Sequence, residues 1–360
     1  KAAHAGKNVA LIEKDNIGGV CLNWGCIPTK AMLKTAKVYK QFLNAEKYGL
    51  DIQDKEIKID LSKIKKRKDK IVLRLTTGVK GLLKKAGVTV INGFATVIDK
   101  STVEVNDLTL HAKNLILATG AHPFIPNIEG VKEAFELNKA LTSKELLDLD
   151  VLPDSLVIIG GGVIGVEFAT LYSNLGTKVT IIEQAPMILT TIDDQVRTAY
   201  VKLLKNKNLT IITEGIVTKI NDKTVTYKHN DTNKEVAYDK VLVSVGTRPN
   251  LKGLENLALE TTKTGVVTNN KLETNIKNVY AIGDMNGKMM LAHVASAEGI
   301  VAVENILGEN SELNYNRVPY GIYGFPEIAY VGLTEQEAKI QDLDYKVSVF
   351  PVAANGKALA

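Results

Sequence analysis

Only two cysteines occur in the 360-residue chain, and they stand five positions apart, as Cys21 and Cys26, in GGVCLNWGCIPTK, residues 18–30. Two cysteines cannot form the disulfide framework of a small secreted protein. A close pair fits redox chemistry, in which two sulfurs exchange between dithiol and disulfide. The other interpretation is two separate buried thiols that pack as small hydrophobic side chains, and composition alone does not separate the two.

A helix is predicted just after the second cysteine, over residues 27–43, IPTKAMLKTAKVYKQFL. Its early turns would carry Cys26, Thr29 and Lys30. A helix N-terminus and a nearby cation both stabilise a thiolate, so this pattern predicts a lowered pKa for Cys26. Pro28 is tolerated there because the N–H groups of a first helical turn lack helical partners.

A dinucleotide-binding motif lies further along the chain. Residues 156–176, LVIIGGGVIGVEFATLYSNLG, combine an apolar strand, a G-x-G-x-x-G turn and a helix, and a second strand ends at Glu183. Gly160 allows the tight turn, Gly162 lets the backbone approach a pyrophosphate at the helix N-terminus, and Gly165 lets the helix pack on the strand. This full context makes an unliganded glycine turn the weaker interpretation.

Glu183 stands where an acid accepts hydrogen bonds from a ribose 2′-OH. A 2′-phosphate would be repelled there, and no arginine or lysine follows before Arg197. We therefore expect NAD rather than NADP at this site, and we expect no metal ion.

The end of this motif occurs twice in the chain. AGKNVALIE, residues 5–13, matches LGTKVTIIE, residues 175–183, at an offset of 170 residues. Glu13 is therefore the predicted ribose acid of a first nucleotide site. The equivalents of the three motif glycines fall before residue 1, so we expect a longer protein that starts about 20–25 residues earlier, with a strand and a glycine turn.

Later segments extend the duplication. Residues 113–123 and 240–250 are both apolar strands that end in a glycine turn, and strand-like patches at 88–105 and 209–229 precede them. Alternating apolar residues and turn residues make both patches antiparallel in character. The sequence thus predicts an α/β fold with two tandem Rossmann-like nucleotide-binding domains that carry inserted antiparallel β segments.

The composition, 45% hydrophobic and 24% charged, is that of a globular protein of two or three domains. Much of the net charge of +5 comes from SKIKKRKDK at 62–70, which runs into a helix-like apolar spacing at 71–83. Without interleaved aromatic residues, this run is predicted to be a solvated helix face rather than a nucleic-acid surface. The longest apolar run, 156–166, is too short to span a bilayer and no signal peptide is visible, so we expect a cytoplasmic protein.

The chain resembles the flavin-dependent pyridine nucleotide–disulfide oxidoreductases over essentially its whole length. Besides residues 18–30, the matching segments are ATG at 118–120, GGGVIGVEFA at 160–169, GTRPN at 246–250, YAIGDMNGKMMLAHVASAEG at 280–299 and YGIYGFPEIAYVGLTEQEA at 320–338. The CLN and CIPTK forms favour the members that oxidise dihydrolipoyl groups over the glutathione and mercuric reductases. The resemblance implies an FAD-binding domain at 1–148, an NAD-binding domain at 149–276, a return segment to the FAD domain at 277–318 and the start of an α+β dimerisation domain at 319–360.

The resemblance also implies a role for each motif residue. Cys21 would form the mixed disulfide with substrate, and Cys26 would face the flavin as the charge-transfer thiolate. Lys30 would lie near flavin N5, paired with Glu167, although each could also be an ordinary helix-surface residue. The further residues expected to contact FAD are Glu13, Gly19, Ala95, Thr119, Gly120, Asp284 and Ala292. Those expected to contact NAD are Gly160, Gly162, Gly165, Glu183, Val217 and Gly246.

The activity that the resemblance implies is NAD-dependent oxidation of dihydrolipoamide carried by the lipoyl domain of a 2-oxoacid dehydrogenase E2 component. The enzyme would be a homodimer that binds neither nucleic acid nor membrane. The alternatives are a reductase of another disulfide, of mercury or of peroxide, and a nucleotide-binding sensor or scaffold without catalysis. Glu183 argues against the NADPH-preferring glutathione reductases, and the second cysteine argues against the one-cysteine peroxidases.

The general base of this family is a histidine backed by a glutamate in a C-terminal segment of the partner subunit, and no segment of this chain matches it. The histidines present are His4, His111, His122, His229 and His293. His293 corresponds to a flavin-side backbone contact, and the others are predicted to be surface or turn residues. The 360-residue span is then either a fragment of a full enzyme or a defective polypeptide, and the missing first glycine turn favours the fragment. We expect the span alone to show little lipoamide turnover, since a general base contributes about 10²–10⁴-fold.

Overall fold

The computed structural model describes residues 1–51, 57–204 and 206–360. Its α-helices are α1 (Gly19–Asn23), α2 (Cys26–Leu43), α3 (Leu61–Lys85), α4 (Val131–Glu136), α5 (Ser143–Leu146), α6 (Val163–Asn174), α7 (Asp194–Leu203), α8 (Ala292–Ile306), α9 (Glu335–Ile340) and α10 (Gly356–Leu359). Its first strands are β1 (Ala10–Glu13), β2 (Thr89–Asn92), β3 (Ala95–Asp99), β4 (Thr102–Val105), β5 (Leu108–His111), β6 (Leu115–Leu117), β7 (Ala121–Pro123) and β8 (Ala140–Leu141). The later strands are β9 (Ser155–Ile159), β10 (Lys178–Ile182), β11 (Leu209–Ile212), β12 (Ile216–Ile220), β13 (Thr224–His229), β14 (Thr232–Ala237), β15 (Lys240–Val243), β16 (Thr247–Pro249), β17 (Val279–Ala281), β18 (Pro319–Ile322) and β19 (Ile328–Val331).

A five-stranded parallel sheet forms the second nucleotide-binding unit, in the order β11-β10-β9-β15-β8. Its central strand β9 reads SLVII and is buried from Leu156 to Ile159. Such an apolar run is typical of a parallel strand that is covered on both faces. The glycine turn that follows β9 therefore lies at the carboxyl end of the central strand, where doubly wound sheets bind nucleotides.

The first unit is assembled from segments that are far apart in the sequence. β1 pairs in parallel with β2, and β6 pairs in parallel with β17. The second pairing brings residues 279–281 back beside residues 115–117. Each unit also carries a three-stranded antiparallel sheet, β3-β4-β5 in the first and β12-β13-β14 in the second. The predicted α/β fold with two nucleotide-binding units and inserted antiparallel sheets is confirmed.

The predicted antiparallel character is wrong for the first strand of each patch. β2, at the start of patch 88–105, pairs in parallel with β1, and β11, at the start of patch 209–229, pairs in parallel with β10. Each of these strands follows a helix, α3 or α7, that crosses back over the unit. A strand that is reached through such a crossover pairs in parallel, whatever its own residue pattern.

Two short pairings join the units. β7 of the first unit and β16 of the second form an antiparallel pair, with Ala121 opposite Pro249. β8 lies inside the range predicted for the FAD-binding domain, yet it pairs with β15 at the edge of the second sheet. The domain limits at 148, 276 and 318 stay a prediction.

Helices α2 and α6 share one hydrophobic core, and this packing positions the site. Met32 and Ala36 of α2 and Phe168 and Tyr172 of α6 lie in the same buried cluster.

The basic run 62–70 lies on α3 as predicted, but it is not wholly solvated, because Lys68 is 4% exposed and forms an ion pair with Asp148. In the apolar spacing at 71–83, Leu82 is 69% exposed, so this spacing does not mark the core. Among the described residues, no helix has both the length and the hydropathy that a bilayer span requires.

Candidate functional site

The two cysteines lie on consecutive short turns of chain and face each other. Cys21 belongs to α1, Cys26 is the first residue of α2, and both are partly exposed free thiols. They are close enough for one thiol to donate a hydrogen bond to the other. A Cβ on Gly25 would lie 3.0 Å from the Val20 carbonyl oxygen and 3.2 Å from Cys21 Cα, so the turn that brings the sulfurs together fits a glycine best.

The two thiols have different electrostatic surroundings. The hydrogen bond that Cys21 donates, together with the positive charge of Lys30, lowers the pKa of Cys26 to about 7. The same hydrogen bond and burial raise the pKa of Cys21. Cys26 also lies at the N-terminus of an 18-residue helix, whose dipole favours a negative charge. The reduced pair therefore carries its negative charge on Cys26, the direction that the sequence predicts.

Lys30 and Glu167 both contact Tyr323. The Lys30 ammonium lies 3.7 Å from the centroid of the Tyr323 ring, and the Tyr323 N–H donates to Glu167 Oε1 at 2.9 Å. Burial raises the pKa of Glu167, while the Tyr323 N–H and the Lys30 charge oppose this rise. Within the part of the chain that the structure describes, no ion pair shorter than 4.0 Å joins Lys30 to Glu167. The structure thus places the two groups on a shared neighbour, and their pairing with each other stays a prediction.

The glycine turn of the second unit has the geometry that a nucleotide site needs. Gly160 has φ +105°, and a Cβ on Gly165 would lie 2.1 Å from the Gly160 carbonyl oxygen. Gly162 precedes α6, and a Cβ there would meet no atom within 4 Å, so the space beside its Cα is open. Glu183 accepts hydrogen bonds from the N–H groups of Gly161 at 2.6 Å and Ala185 at 2.7 Å. An open helix N-terminus beside a fixed carboxylate fits a pyrophosphate and a ribose.

Arg197, the first basic residue after Glu183, does not serve as a ligand for a 2′-phosphate. It is 6% exposed, its guanidinium contacts the Asp194 carboxylate, and it donates to the Ile192 carbonyl at 3.4 Å. The cation that NADP recognition would use is therefore occupied inside the fold, which agrees with the preference for NAD.

The predicted FAD residues lie on several separate elements of the first unit. Glu13 ends β1 and accepts from the Asp15 N–H at 2.8 Å, and Thr119 donates to the Asn250 carbonyl at 2.6 Å. Asp284 lies in a 3₁₀ turn, Gly283–Asn286, and its pKa is raised by burial and by the charge of Glu298. Of the remaining predicted residues, Ala95 starts β3 and Ala292 starts α8. Gly19 and Gly120 both have a positive φ.

Two predicted NAD contacts lie away from the glycine turn in the sequence and on different elements. Val217 belongs to β12 and packs against the core of the second unit, and Gly246 follows β15 with φ +112°. The structure shows where they stand, and their contact with NAD stays a prediction.

Sequence reasoning missed Glu298. This carboxylate is fully buried and accepts from the Gly283 N–H at 2.5 Å, the Asn286 side-chain amide at 3.0 Å and the Tyr315 hydroxyl at 2.7 Å. It therefore holds the turn that carries Asp284. A charged residue among the apolar residues of a buried helix is the signal that could have found it.

No group of three or more histidine, cysteine, aspartate or glutamate side chains within the described ranges has the arrangement of a metal site. His293, on α8, contacts the Pro319 carbonyl oxygen at 2.9 Å through Nε2. This histidine thus ties the first unit to β18.

Two nucleotide-binding units with a dithiol beside the first define a disulfide oxidoreductase that binds two dinucleotides. The chain belongs to the pyridine nucleotide-disulphide oxidoreductase family, whose model matches residues 1–299, and the model of that family's dimerisation domain matches residues 318–360.

Similar proteins carry specific names. A dihydrolipoyl dehydrogenase of Acholeplasma laidlawii is 50% identical over 316 residues, which cover 88% of this chain and 94% of that protein. A dihydrolipoyl dehydrogenase of Mycoplasma genitalium is 41% identical and covers 100% of this chain and 80% of its own. Among solved structures, the HOCl-induced flavoprotein disulfide reductase RclA of Escherichia coli is 29% identical with a TM-score of 0.84, over 99% of this chain and 79% of that one.

Proposed function

We propose that this protein is an NAD-dependent dihydrolipoyl dehydrogenase, which reoxidises protein-bound dihydrolipoamide through Cys21 and Cys26 and passes the electrons by way of FAD to NAD⁺. The observation that carries this proposal is the unequal thiol pair, with its negative charge on the helix-end sulfur and the second thiol in hydrogen-bond contact. Curated relatives with the name dihydrolipoyl dehydrogenase, at 38–50% identity over most of the chain, support the same substrate.

The residues fit both groups. Gly160, Gly162 and Gly165 with Glu183 would hold NAD⁺ at the end of β9. Residues from the first unit and the 3₁₀ turn would hold FAD; they are Glu13, Gly19, Lys30, Ala95, Thr119, Gly120, Asp284 and Ala292. When bound, FAD supplies a two-electron relay between the thiol pair and NAD⁺.

The thiol pair performs the exchange with substrate. In the oxidised protein, a substrate thiolate attacks Cys21 Sγ, a new S–S bond forms there, and the Cys21–Cys26 bond breaks with Cys26 leaving as thiolate. A thiol with a pKa of about 7 is a good leaving group. The second substrate thiol then attacks the substrate sulfur of the mixed disulfide, so that the lipoyl disulfide forms and the bond to Cys21 breaks. The proton of that thiol passes to Cys21, whose raised pKa keeps it protonated. The other substrate proton is released.

Further properties complete the proposal. The match to the dimerisation domain supports a homodimer. The lipoyl domain of a 2-oxoacid dehydrogenase E2 component is the proposed partner, and the cytoplasm is the proposed location. The buried Arg197 and the hydrogen-bonded Glu183 disfavour an NADPH-dependent glutathione-type reductase.

The test is turnover by the longer protein that the sequence analysis predicts, loaded with FAD, because little turnover is expected from residues 1–360 alone. NADH formation is followed with dihydrolipoamide and with reduced glutathione, in the native protein and in the Cys21→Ser and Cys26→Ser variants. We expect turnover with dihydrolipoamide only, and a loss of about 10³-fold or more in each variant, since the exchange needs both sulfurs. NADH should still reduce an artificial dye in both variants, because that route bypasses the thiols. Full dihydrolipoamide turnover in Cys21→Ser would contradict the proposal.

A further inference from the structure

Tyr323 lies at a junction of three parts of the chain. It directly follows β18, its ring contacts Lys30 of α2, and its backbone N–H contacts Glu167 of α6. Lys30 and Glu167 are separated by more than a hundred residues in the sequence. One residue from the C-terminal segment thus touches both charged groups beside the thiol pair.

The chain on both sides of Tyr323 leaves little room for an added side chain. A Cβ on Gly321 would lie 3.3 Å from the Tyr323 ring, and a Cβ on Gly324 would lie 1.9 Å from the Tyr200 hydroxyl oxygen. The side chain itself is different, because Tyr323 is 40% exposed. Core packing therefore does not account for the ring, whereas the fixed backbone explains why the N–H reaches Glu167.

Lys30 and Glu167 act on Cys26 in opposite directions. The Lys30 charge lowers the pKa of Cys26, and the Glu167 charge raises it. The groups that face Cys26 are Cys21 on α1, Lys30 on α2 and Glu167 on α6, with Tyr200 of α7 beyond Glu167. Small movements of the lysine side chain change this balance, since Coulomb energies depend on distance.

We propose that Tyr323 is a positioning residue for the thiol pair: its ring holds the Lys30 ammonium and its N–H holds the Glu167 carboxylate, so that the two charges stay at fixed distances from Cys26. Any residue except proline supplies the N–H at position 323, but only an aromatic residue supplies a ring face for the cation. The positioning role stands on the contacts of Tyr323 alone. It rests on the proposed function only for the identity of the reaction that the thiol pair carries out.

The test measures the Cys26 thiolate without substrate. In a Cys21→Ser background, whose serine hydroxyl can still donate to Cys26, the rate of iodoacetamide alkylation of Cys26 is measured against pH in FAD-loaded protein. Tyr323→Phe keeps the ring and should leave the midpoint unchanged. Tyr323→Leu removes the ring, loosens Lys30 and should raise the midpoint by about 0.5–1 pH unit, which is a threefold to tenfold loss of thiolate below the midpoint.

Two further variants separate this role from a loss of structure. Tyr330→Leu removes an aromatic ring from the same hairpin, where it stacks on Tyr320 at 4.7 Å, and should leave the midpoint in place. Lys30→Met should raise the midpoint by itself. In the Lys30→Met background, Tyr323→Leu should add no further shift, because its effect passes through the lysine.

The proposal is overturned if Tyr323→Leu leaves the midpoint where Tyr323→Phe leaves it, if Tyr330→Leu shifts it equally, or if the shift persists without Lys30. Failure of the proposed function gives a different result. In that case NADH does not form from dihydrolipoamide and NAD⁺, while the alkylation profiles still differ between the leucine and phenylalanine variants.

Discussion

The two nucleotide-binding units position their acidic residues by different means. In the second unit, Glu183 accepts two backbone N–H groups, from Gly161 and Ala185, within a single strand-turn-helix-strand motif. In the first unit, Glu13 accepts only from Asp15 among the described contacts, and Asp284 comes from a turn that a different helix holds through Glu298. The second site is therefore local in sequence, and the first is assembled by tertiary contacts.

The two nucleotide sites should therefore respond to different kinds of substitution. The second site depends on backbone that passes close to other backbone or to the ligand, so that an added methyl group disturbs packing or binding. The first depends on buried hydrogen bonds to a carboxylate, so that a removed acceptor disturbs it. Substitutions of each kind, placed in each unit, test this difference.

The largest effect is expected at the glycine turn of the second unit. Gly162→Ala places its Cβ in open space at φ −72°, so the protein should fold normally, while NAD⁺ binding weakens by about thirtyfold because the backbone no longer meets the pyrophosphate. Gly165→Ala should instead lower the free energy of unfolding by about 1–3 kcal/mol, since its Cβ would overlap the Gly160 carbonyl. Calorimetric NAD⁺ titration and thermal unfolding measure the two effects.

These glycine variants are matched, because each adds one methyl group to the same motif. Normal NAD⁺ affinity in a folded Gly162→Ala protein would contradict an open site at the start of α6. Unchanged stability of Gly165→Ala would contradict close helix–strand packing as the reason for that glycine.

A smaller effect is expected at Glu298 in the first unit. Glu298→Leu leaves the Gly283 N–H and the Tyr315 hydroxyl without their acceptor, and FAD affinity should fall by about tenfold, within the usual cost of unpaired buried donors. Glu298→Gln keeps one acceptor oxygen, so its loss of FAD affinity should be smaller. Removing the Glu298 charge also lowers the pKa of Asp284, so the acid limb of FAD binding should move to lower pH in the glutamine variant.

The release of flavin fluorescence on dilution measures FAD affinity. Glu273→Gln is the matched control, because Glu273 also has a tyrosine hydroxyl partner, Tyr280 at 3.5 Å, but does not touch the Asp284 turn. Equal loss of FAD in both glutamine variants would show that any nearby charge matters and that the turn is not specifically held.

Local patterns in the sequence predicted most of the second site. The strand, glycine turn and helix at 156–176 are as expected, and α2 begins at Cys26, one residue before its predicted start. The family, the α/β fold and the use of FAD and NAD are confirmed by the family match and the named relatives. The strand, glycine turn and helix depend on residues that are close together in the chain, which is why their spacing identifies them, whereas the family and the use of FAD were expected from the resemblance.

The contacts that spacing did not predict join distant segments. The pairing of β2 with β1 depends on a helical crossover, and the junction at Tyr323 joins residues 30, 167 and 323. Glu298 stands inside a segment that family resemblance identified, yet its function depends on a turn that folds back onto α8. Residue patterns report local structure and burial, and they carry no information on which distant side chain a charge will meet.

The smallest effect is expected where the thiol loop meets α5, the helix that follows β8 and is counted with the second unit because β8 belongs to its sheet. Trp24, the only tryptophan of the chain, stands between the two cysteines, and the Lys144 ammonium of α5 lies 4.3 Å from its ring centroid. Such an exposed contact contributes about 0.5–1 kcal/mol. Lys144→Met should shift the emission of Trp24 and change turnover less than about twofold. Lys139→Met, which removes a lysine bound to Asp222 and away from Trp24, should leave the emission unchanged.

The pH midpoint of Cys26 alkylation connects the contact between Lys144 and Trp24 with the comparison of the two units. Lys144 is not among the charges that act on Cys26, so Lys144→Met should move the alkylation midpoint by less than about 0.2 pH unit, whereas Lys30→Met moves it clearly. Equal shifts in the two variants would mean that a cation of the second unit sets the thiol chemistry as strongly as one of the first. The negative charge of the thiol pair would then depend on residues of both units, and contacts within the first unit would not be sufficient to explain it.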